Sequence, residues 1–415
     1  MGARTSRAAI ARGAVTCFPP RWFLAAHGYP SRQDLPRGTV DRWQGALEGV
    51  VVSEEFWRGR RVFVTGHTGF KGAWLSLWLA EMGAVVTGYA LAPRSHPNLF
   101  DLAKISDTIS SVIADINDQP ALDKALAESR PEIVFHLAAQ ALVRESYDNP
   151  IQTFAANVGG VVTLLDSIRP VPSVRGVIIV TSDKCYDNQE WIWGYRENDR
   201  LGGRDPYSAS KGCAEIAARS MQMSFFAPFA PGGHAARIAT VRAGNVIGGG
   251  DWSDDRLVPD IVRGCLGTKG EVRLRSPSAV RPWQHVLDPL GVYLDIAERL
   301  ATAPDGIDEA WNIGPEHGDD RPVLKVAEAM VAALGTGKVV CEEAFNGPHE
   351  ANLLRLDCEK AKTKLGWRPK LKFDQSIKFT ADWYAAWKQG DDMMNFTRAQ
   401  IATFRAADPD AATVV

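Results

Sequence analysis

The sequence predicts an α/β fold: a doubly wound parallel sheet followed by a smaller, α-rich C-terminal lobe. Three observations carry this. Apolar runs of strand length alternate with helix-length segments from Arg61 to Arg242. A glycine-rich turn joins the first run to the first helical segment. Beyond Asn245 the alternation loosens, and helical periodicity returns near the C-terminus.

The first run, Arg61–Val62–Phe63–Val64–Thr65, ends at Gly66 as a buried strand would. A helical segment carrying Leu75, Leu77, Trp78, Leu79 and Met82 stops at Gly83. Val85–Val86–Thr87–Gly88–Tyr89 reads as the second strand and Ser111–Val112–Ile113 as the third, with Leu122 to Leu126 on a helix. Ile133–Val134–Phe135–His136–Leu137 is the fourth strand, followed by a helix from Val158 to Ile168. Val177–Ile178–Ile179–Val180–Thr181 is the fifth. A long helix from Tyr207 to Phe226 precedes the sixth strand, Ile238–Ala239–Thr240–Val241–Arg242. Gly248–Gly249–Gly250–Asp251 and Arg281–Pro282–Trp283 then read as loops, with helices at Val323 to Leu334 and Ser376 to Trp387. The chain divides into an extension (1–53), the sheet domain (54–244), a lobe (245–390) and a tail (391–415).

Composition narrows the class. Hydrophobic residues are 45% and charged residues 23% of 415, as in a globular protein with a large core. A net charge of −2 offers no basic field for nucleic acid or anionic membrane. No stretch approaches the ~20 apolar residues of a membrane span. The 6 cysteines form no CxxC pair and no cluster with metal-ligand spacing. A chain this long needs no disulfides, so a cytoplasmic, reducing setting is expected. The first fifty residues are rich in Arg and broken by Pro19, Pro20, Pro30 and Pro36. They fit a disordered extension or upstream sequence brought in by an early start, or an Arg-rich targeting leader.

Thr65–Gly66–His67–Thr68–Gly69–Phe70–Lys71–Gly72 places glycines at GxxGxxG spacing between strand and helix. Such a turn lets a diphosphate approach the backbone and the unpaired N–H groups of the helix start. The sheet is therefore expected to be Rossmann-like, with these residues at a dinucleotide. Leu137, Ala138 and Ala139 after the fourth strand have the small size of a segment passing under a cofactor. Asp115 and Ile116 follow the third strand, where they can flank an adenine, although Asp115 reads equally as a loop cap. The acid usual at the end of the second strand is missing, and Arg94 stands slightly late. The residues alone leave NAD and NADP open.

Tyr207–Ser208–Ala209–Ser210–Lys211 opens a helix and sets Tyr207 and Lys211 one turn apart on one face. A free phenol, with a pKa of ~10, is a weak base at neutral pH, and a neighbouring ammonium favours the phenolate. Thr181–Ser182–Asp183–Lys184 ends the fifth strand, at the edge where parallel sheets bind ligands. Ser182 can bond a reacting oxygen, while Asp183 and Lys184 offer an acid and a base. A Ser–Asp pair there also reads as an ordinary cap or turn.

These motifs resemble extended short-chain dehydrogenases/reductases. The narrower pattern is similar to the family of CDP-glucose 4,6-dehydratases: TGHTGFKGAWL from Thr65, Pro97–Asn98–Leu99–Phe100, TSDKCY from Thr181, RAGNVIGGGDW from Arg242 and RPWQH from Arg281. The resemblance runs from about Phe56 to Trp387. Its most specific piece is Asp183–Lys184, where related dehydratases carry an acid followed by Glu and epimerases lack the pair. It implies NAD as cofactor, CDP-glucose as substrate, a homodimer through paired long helices, and a place in making deoxysugars for surface polysaccharide. It also implies roles: Tyr207 takes the C4 hydroxyl proton, Ser182 and Tyr207 polarise O4, Asp183 is the acid and Lys184 the C5 base. Expected nucleotide-sugar contacts are Arg144, Ser146, Asn245, Asp251, Trp252, Arg256, Arg281 and His285. Arginines suit a diphosphate, yet Arg256 and Arg281 read also as surface residues, Trp252 as packing and His285 as structural. The competing readings are a nucleotide-sugar 4-epimerase and an NAD-sensing protein without catalysis.

Overall fold

The computed structural model describes residues 52–407, apart from 268–269, 303–305, 317, 343–350 and 352. The expectation for the N-terminal extension therefore lies outside the described residues except at Val52 and Ser53. Order begins where the pattern places it: the Ser53 hydroxyl accepts from Phe56 N at 3.3 Å and caps the short helix Glu54–Trp57.

Seven strands form one sheet: β1 (Arg61–Thr65), β2 (Val85–Ala90), β3 (Ser110–Ile113), β4 (Ile133–His136), β5 (Gly176–Val180), β6 (Arg237–Ala243) and β7 (Ala310–Ile313). Their order is 7-6-5-4-1-2-3, and every neighbouring pair is parallel. Phe63, Val64, Val134, Phe135, Ile178 and Ile179 are all buried, because helices cover both faces. Thr65 of β1 aligns with Tyr89 of β2 on one side and His136 of β4 on the other. The strand order reverses at β1, so a crevice opens beyond the C-terminal ends of β1 and β4.

Two apolar layers flank the sheet. One gathers helix Phe70–Glu81, helix Leu287–Thr302 and the C-terminal helices. The other gathers helices Gln119–Ser129, Gly160–Ile168 and Pro206–Phe225. The six strands read from sequence all form, with ends shifted by a residue or so. Val323–Leu334 is helical as read, and the helix expected from Ser376 to Trp387 spans Phe373–Gln389.

Four features depart from the reading. The run Ala310–Ile313 returns to the main sheet as β7, beside β6, and helix Leu287–Thr302 packs behind β5 and β6. The sheet domain therefore does not close at 244. The segment 391–407 is no tail: Asp392 caps a helix, Met393–Ala406, that buries Met393, Thr397, Ile401 and Phe404 along one face. Its buried positions recur at helical spacing, a periodicity the sequence reading did not pick up. The helix expected from Val158 starts at Pro150, with a π-helical turn at Ala155–Gly159. Over Pro150–Ile168 it is long and apolar enough to cross a membrane by length and composition, with mean hydropathy 1.2, which the sequence reading excluded. It lies instead against the sheet's helices, with Val161, Leu164, Leu165 and Ile168 in the core.

Candidate active site

The glycine turn is built for close backbone approach. Gly66 has φ +76°, and a Cβ there would lie 2.6 Å from Ala138 N; a Cβ on Gly72 would lie 2.1 Å from Gly66 O. Gly69 is exposed, caps helix Phe70–Glu81 without a side-chain bond, and a Cβ there would make only an ordinary contact with Gly66 O at 3.4 Å. No acid stands in that helix's first turn. This cradle at a helix start fits a dinucleotide diphosphate. Leu137 and Ala138 lie half-buried beside it, their N–H groups donating to Thr65 Oγ1 at 3.1 Å, and Ala139 continues the segment.

Other residues expected at the cofactor are occupied elsewhere. The His67 ring is fully buried, bonds Ser111 Oγ at 2.7 Å and lies so close to Gly88 that a Cβ there would be 2.3 Å from it. Burial pushes its pKa down to about 4. Its side chain braces the strand ends, leaving only its backbone in the turn. Thr68 Oγ1 donates to Leu91 O, and Phe70 packs toward Gly248. Ile116 is in the core against Gly160. Asp115 is exposed and accepts from Asn117 N at 2.9 Å, the loop cap foreseen as its alternative. Arg94 is held by both Glu145 oxygens at 2.8 Å.

Helix Pro206–Phe225 presents the catalytic candidates. Asp205 caps it by accepting from Ser208 N at 2.9 Å, and Ser146 Oγ accepts from Tyr207 N at 3.1 Å. Tyr207 and Lys211 are both buried, with Lys211 Nζ 6.0 Å from the phenol ring centroid. Burial pushes the Tyr207 phenol up to about 12, against a Ser182 hydrogen bond and Arg256. The sequence reading has Lys211 lowering that phenol; here burial dominates, and the groups that oppose it are Ser182 and Arg256. Lys211 is itself pulled down to about 8 by burial, with Glu215 opposing.

At the end of β5, Ser182 Oγ accepts from Lys184 N at 3.2 Å and donates to Asp183 Oδ1 at 2.9 Å. The cap and the catalytic arrangement thus coexist. Asp183 Oδ2 is buried with no hydrogen-bond partner among the described residues, near Gly244. Burial pushes the Asp183 carboxyl up, while Lys184, Ser182, Arg281 and Lys71 pull it down. Lys71, read from sequence as a cofactor residue only, faces this cluster too. Burial, Arg256 and Lys211 bring it down to about 7, against Asp183 and Asp251.

Two buried networks that pattern reading missed hold these groups. Glu215, one turn beyond Lys211, pairs with Arg242 at 2.7 Å and accepts from Thr181 and Thr240. Arg242 also donates to Tyr186 Oη, which donates to Asn312 of β7 at 2.7 Å. Asn157, in the π-helical turn, bonds the backbone of Gln140 and donates to Ser210 Oγ at 2.8 Å. A π-turn is common at functional sites. The available signal was Asn157 itself, a polar residue within an apolar run.

Residues 63–380 match the family model described as GDP-mannose 4,6 dehydratase. CDP-glucose 4,6-dehydratase of Salmonella typhimurium is 48% identical over 357 residues, covering 86% of this chain and 99% of that one. The chain belongs to the GDP-mannose 4,6-dehydratase family. A dTDP-glucose 4,6-dehydratase of Xanthomonas campestris is 24% identical, covering 79% of this chain and 94% of that one. Among solved structures, the NAD-bound UDP-glucose 4-epimerase of Stenotrophomonas maltophila aligns with TM-score 0.68 at 22% identity, covering 80% of this chain and 99% of that one. The dTDP-glucose 4,6-dehydratase of Bacillus anthracis, in complex with NAD, aligns with TM-score 0.64 at 20% identity, covering 81% and 99%. These structures establish the shared fold.

In this dehydratase-family chain the expected substrate contacts separate. Asp251 is buried and faces half-buried Arg256 at 3.5 Å; both act electrostatically on Lys71. Arg281 is buried rather than at the surface and pulls down the Asp183 carboxyl. Asn245 is half-buried after β6, and its carbonyl accepts from Gln284 N. Arg144 pairs with Asp255 at 3.0 Å, both partly exposed. Three candidates are structural instead. Ser146 has no exposed surface and spends its hydroxyl on Tyr207 N and Val143 O. Trp252 packs edge-on against Tyr384 and Trp387. His285 is fully buried between Trp74 and Phe379, and burial pushes its pKa down to about 3.

Proposed function

We propose that this chain converts CDP-glucose to CDP-4-dehydro-6-deoxyglucose and uses NAD as a bound cofactor. The observation that carries the reading is the packing of the turn Asp183–Cys185, at the end of β5, on the helix that bears Tyr207 and Lys211, with Asp183 close enough to act electrostatically on the Tyr207 phenol. The 48% identity to a CDP-glucose 4,6-dehydratase supports the choice of nucleotide.

The turn Gly66–Gly72 and the segment Leu137–Ala139 hold the dinucleotide. The chemistry NAD supplies when bound is reversible hydride acceptance, from C4 first and to C6 last. Tyr207 takes the O4 proton, and Lys211 favours the resulting charge. Ser182 bonds O4. Ketone formation acidifies the C5 proton, which Lys184 removes. Asp183, disposed by burial to hold a proton, protonates O6 as water leaves. Arg256, Arg281, Asn245 and Asp251 bind the nucleotide sugar, the arginines favouring its diphosphate. A 4-epimerase needs the Tyr/Lys pair but neither Asp183 nor Lys184.

The homodimer belongs to the same proposal. Ile151 (84% exposed), Ile216 (58%) and Met223 lie uncovered on the outer faces of helices Pro150–Phe154 and Pro206–Phe225. Pairing of two such faces would cover them. Work on a nucleotide sugar, by a chain that needs no disulfides, fits a cytoplasmic place in deoxysugar synthesis for lipopolysaccharide or related surface polymers.

The test is a screen of nucleotide sugars, read by the alkali-induced absorbance of a 4-keto-6-deoxy product. CDP-glucose should give far higher kcat/KM than dTDP-glucose or GDP-mannose. Comparable turnover of either rival would overturn the nucleotide assignment; no keto product from any would overturn the reaction.

A further inference from the structure

Asp183 and Lys184 share one short 3₁₀ turn, Asp183–Cys185. Such a turn has poor hydrogen bonds of its own, so its flanks must fix where it points. On one flank, Thr181 Oγ1 donates to Glu215 Oε1. On the other, Tyr186 Oη accepts from Arg242 Nη1 at 2.8 Å. Glu215 and Arg242 are themselves paired at 2.7 Å. One unbroken chain of buried polar groups, Thr181–Glu215–Arg242–Tyr186, therefore spans the turn.

Tyr186 has a second anchor. Its hydroxyl donates to Asn312 Oδ1 of β7 at 2.7 Å. Asn312 Nδ2 donates in turn to Tyr195 O at 2.7 Å and to Asp357 O at 3.1 Å. The Tyr186 ring stacks on that of Tyr195, with centroids 5.0 Å apart and planes at 16°. Tyr186 is 1% exposed, yet it lies outside both apolar layers of the sheet, in a small cluster with Cys185, Tyr195 and Leu354. A buried polar network of this kind selects one arrangement of the groups it joins. The strand that supplies Arg242 also reaches the acid: a Cβ at Gly244, just past β6, would lie 3.3 Å from Asp183 Oδ2. A shift of Tyr186 relative to Arg242 therefore shifts the Asp183 carboxyl against that backbone.

Resting on the dehydratase reading, we propose that Tyr186 is the positioning residue of the elimination step: its hydroxyl, held between Arg242 and Asn312, sets the turn that carries Asp183 and Lys184. Oxidation at C4 depends on Tyr207 and Lys211, whose helix keeps its own tie to Arg242 through Glu215. One ion pair thus anchors both steps, but only elimination runs through the Tyr186 hydroxyl.

The test separates the two steps in the holoenzyme. Tyr186→Phe keeps the ring and its stack and removes the hydroxyl. Single-turnover C4 oxidation, read by reduced-cofactor absorbance, should stay near the wild-type rate. Deuterium uptake at C5 and release of keto product should slow by about 10²-fold, the effect of a ~1 Å misplacement. Reduced cofactor should then accumulate during turnover, a signature that a loss of stability alone does not produce. Asn312→Ser removes the acceptor instead of the donor; it should give the same split, and it carries the test if Tyr186→Phe folds poorly. Equal slowing of oxidation and elimination, or elimination at the wild-type rate in a folded variant, overturns the assignment. Absence of any keto product from wild type would instead overturn the dehydratase reading beneath it.

Discussion

Glu215 and Arg242 form a 2.7 Å ion pair with side chains only 3% and 4% exposed, directly behind the catalytic helix face. The pair joins that helix to β6, and through Tyr186 to β7. Removing one partner leaves a buried charge alone, a loss of about 3–5 kcal/mol. Glu215→Met should lower the denaturant midpoint accordingly, and the double variant Glu215→Met/Arg242→Met should recover part of it. Because Glu215 holds Lys211 up, Glu215→Gln should also move Lys211 further below about 8. An unchanged pH profile for C4 oxidation would show that Glu215 is only a brace.

Tyr207→Phe removes the proton acceptor but little volume. The melting temperature should hold within a degree or two, while single-turnover C4 oxidation falls by about 10²–10⁴-fold. Near-normal reduced-cofactor absorbance would move the base elsewhere.

Asp183 and Lys184 should separate under solvent exchange. Lys184→Met should block deuterium uptake at C5 in recovered substrate, although C4 oxidation continues. Asp183→Asn should still exchange at C5 but expel the C6 hydroxyl slower by about 10²–10⁴-fold. Wild-type exchange in Lys184→Met would point to another amine, and Lys71, brought to about 7 beside Asp183, is the next to test.

Asp288 makes stability pH-dependent. One oxygen accepts from Lys370 N at 2.7 Å, the other has no partner among the described residues, and burial raises its pKa to about 7 from 3.8. Between those values the folded state holds a proton that the unfolded chain releases. The contribution of Asp288 is therefore present below about pH 4 and is lost as pH rises to 7. Asp288→Asn should match wild type near pH 4 and exceed it above pH 7, by up to about 4 kcal/mol. A constant difference across that range, seen in urea midpoints, would exclude the titration.

Phe404 anchors the C-terminal helix, its ring edge-on to Trp78 at 5.7 Å. Phe404→Ala should cost about 3–5 kcal/mol, as for a buried aromatic. A change within about 0.5 kcal/mol would return this segment to the status of a surface appendage.

Local chemistry made much of this protein legible from its residues in order. Runs such as Phe63–Val64 and Ile178–Ile179 specify buried strands, because a sheet covered on both faces demands continuous apolar sequence. Gly66 and Gly72 specify the turn, because any Cβ there meets backbone. Tyr207 and Lys211 share a face because the helical repeat puts them there. The family resemblance built on these motifs agrees with the 48% identical relative.

What one chain order could not show depends on which distant segments meet. The strand Ala310–Ile313 is too short to announce its place beside β6. His67, Ser146 and His285 lie in or near motifs, yet packing turns their side chains into braces. Lys71 looks like part of a phosphate turn until the fold brings it to Asp183, Asp251 and Arg256. That burial holds the Tyr207 phenol above its usual range was likewise invisible in the spacing of its lysine. Periodicity and glycine sterics are local properties, readable along the chain. Desolvation and charge proximity belong to the assembled interior, so only the tertiary structure decided them.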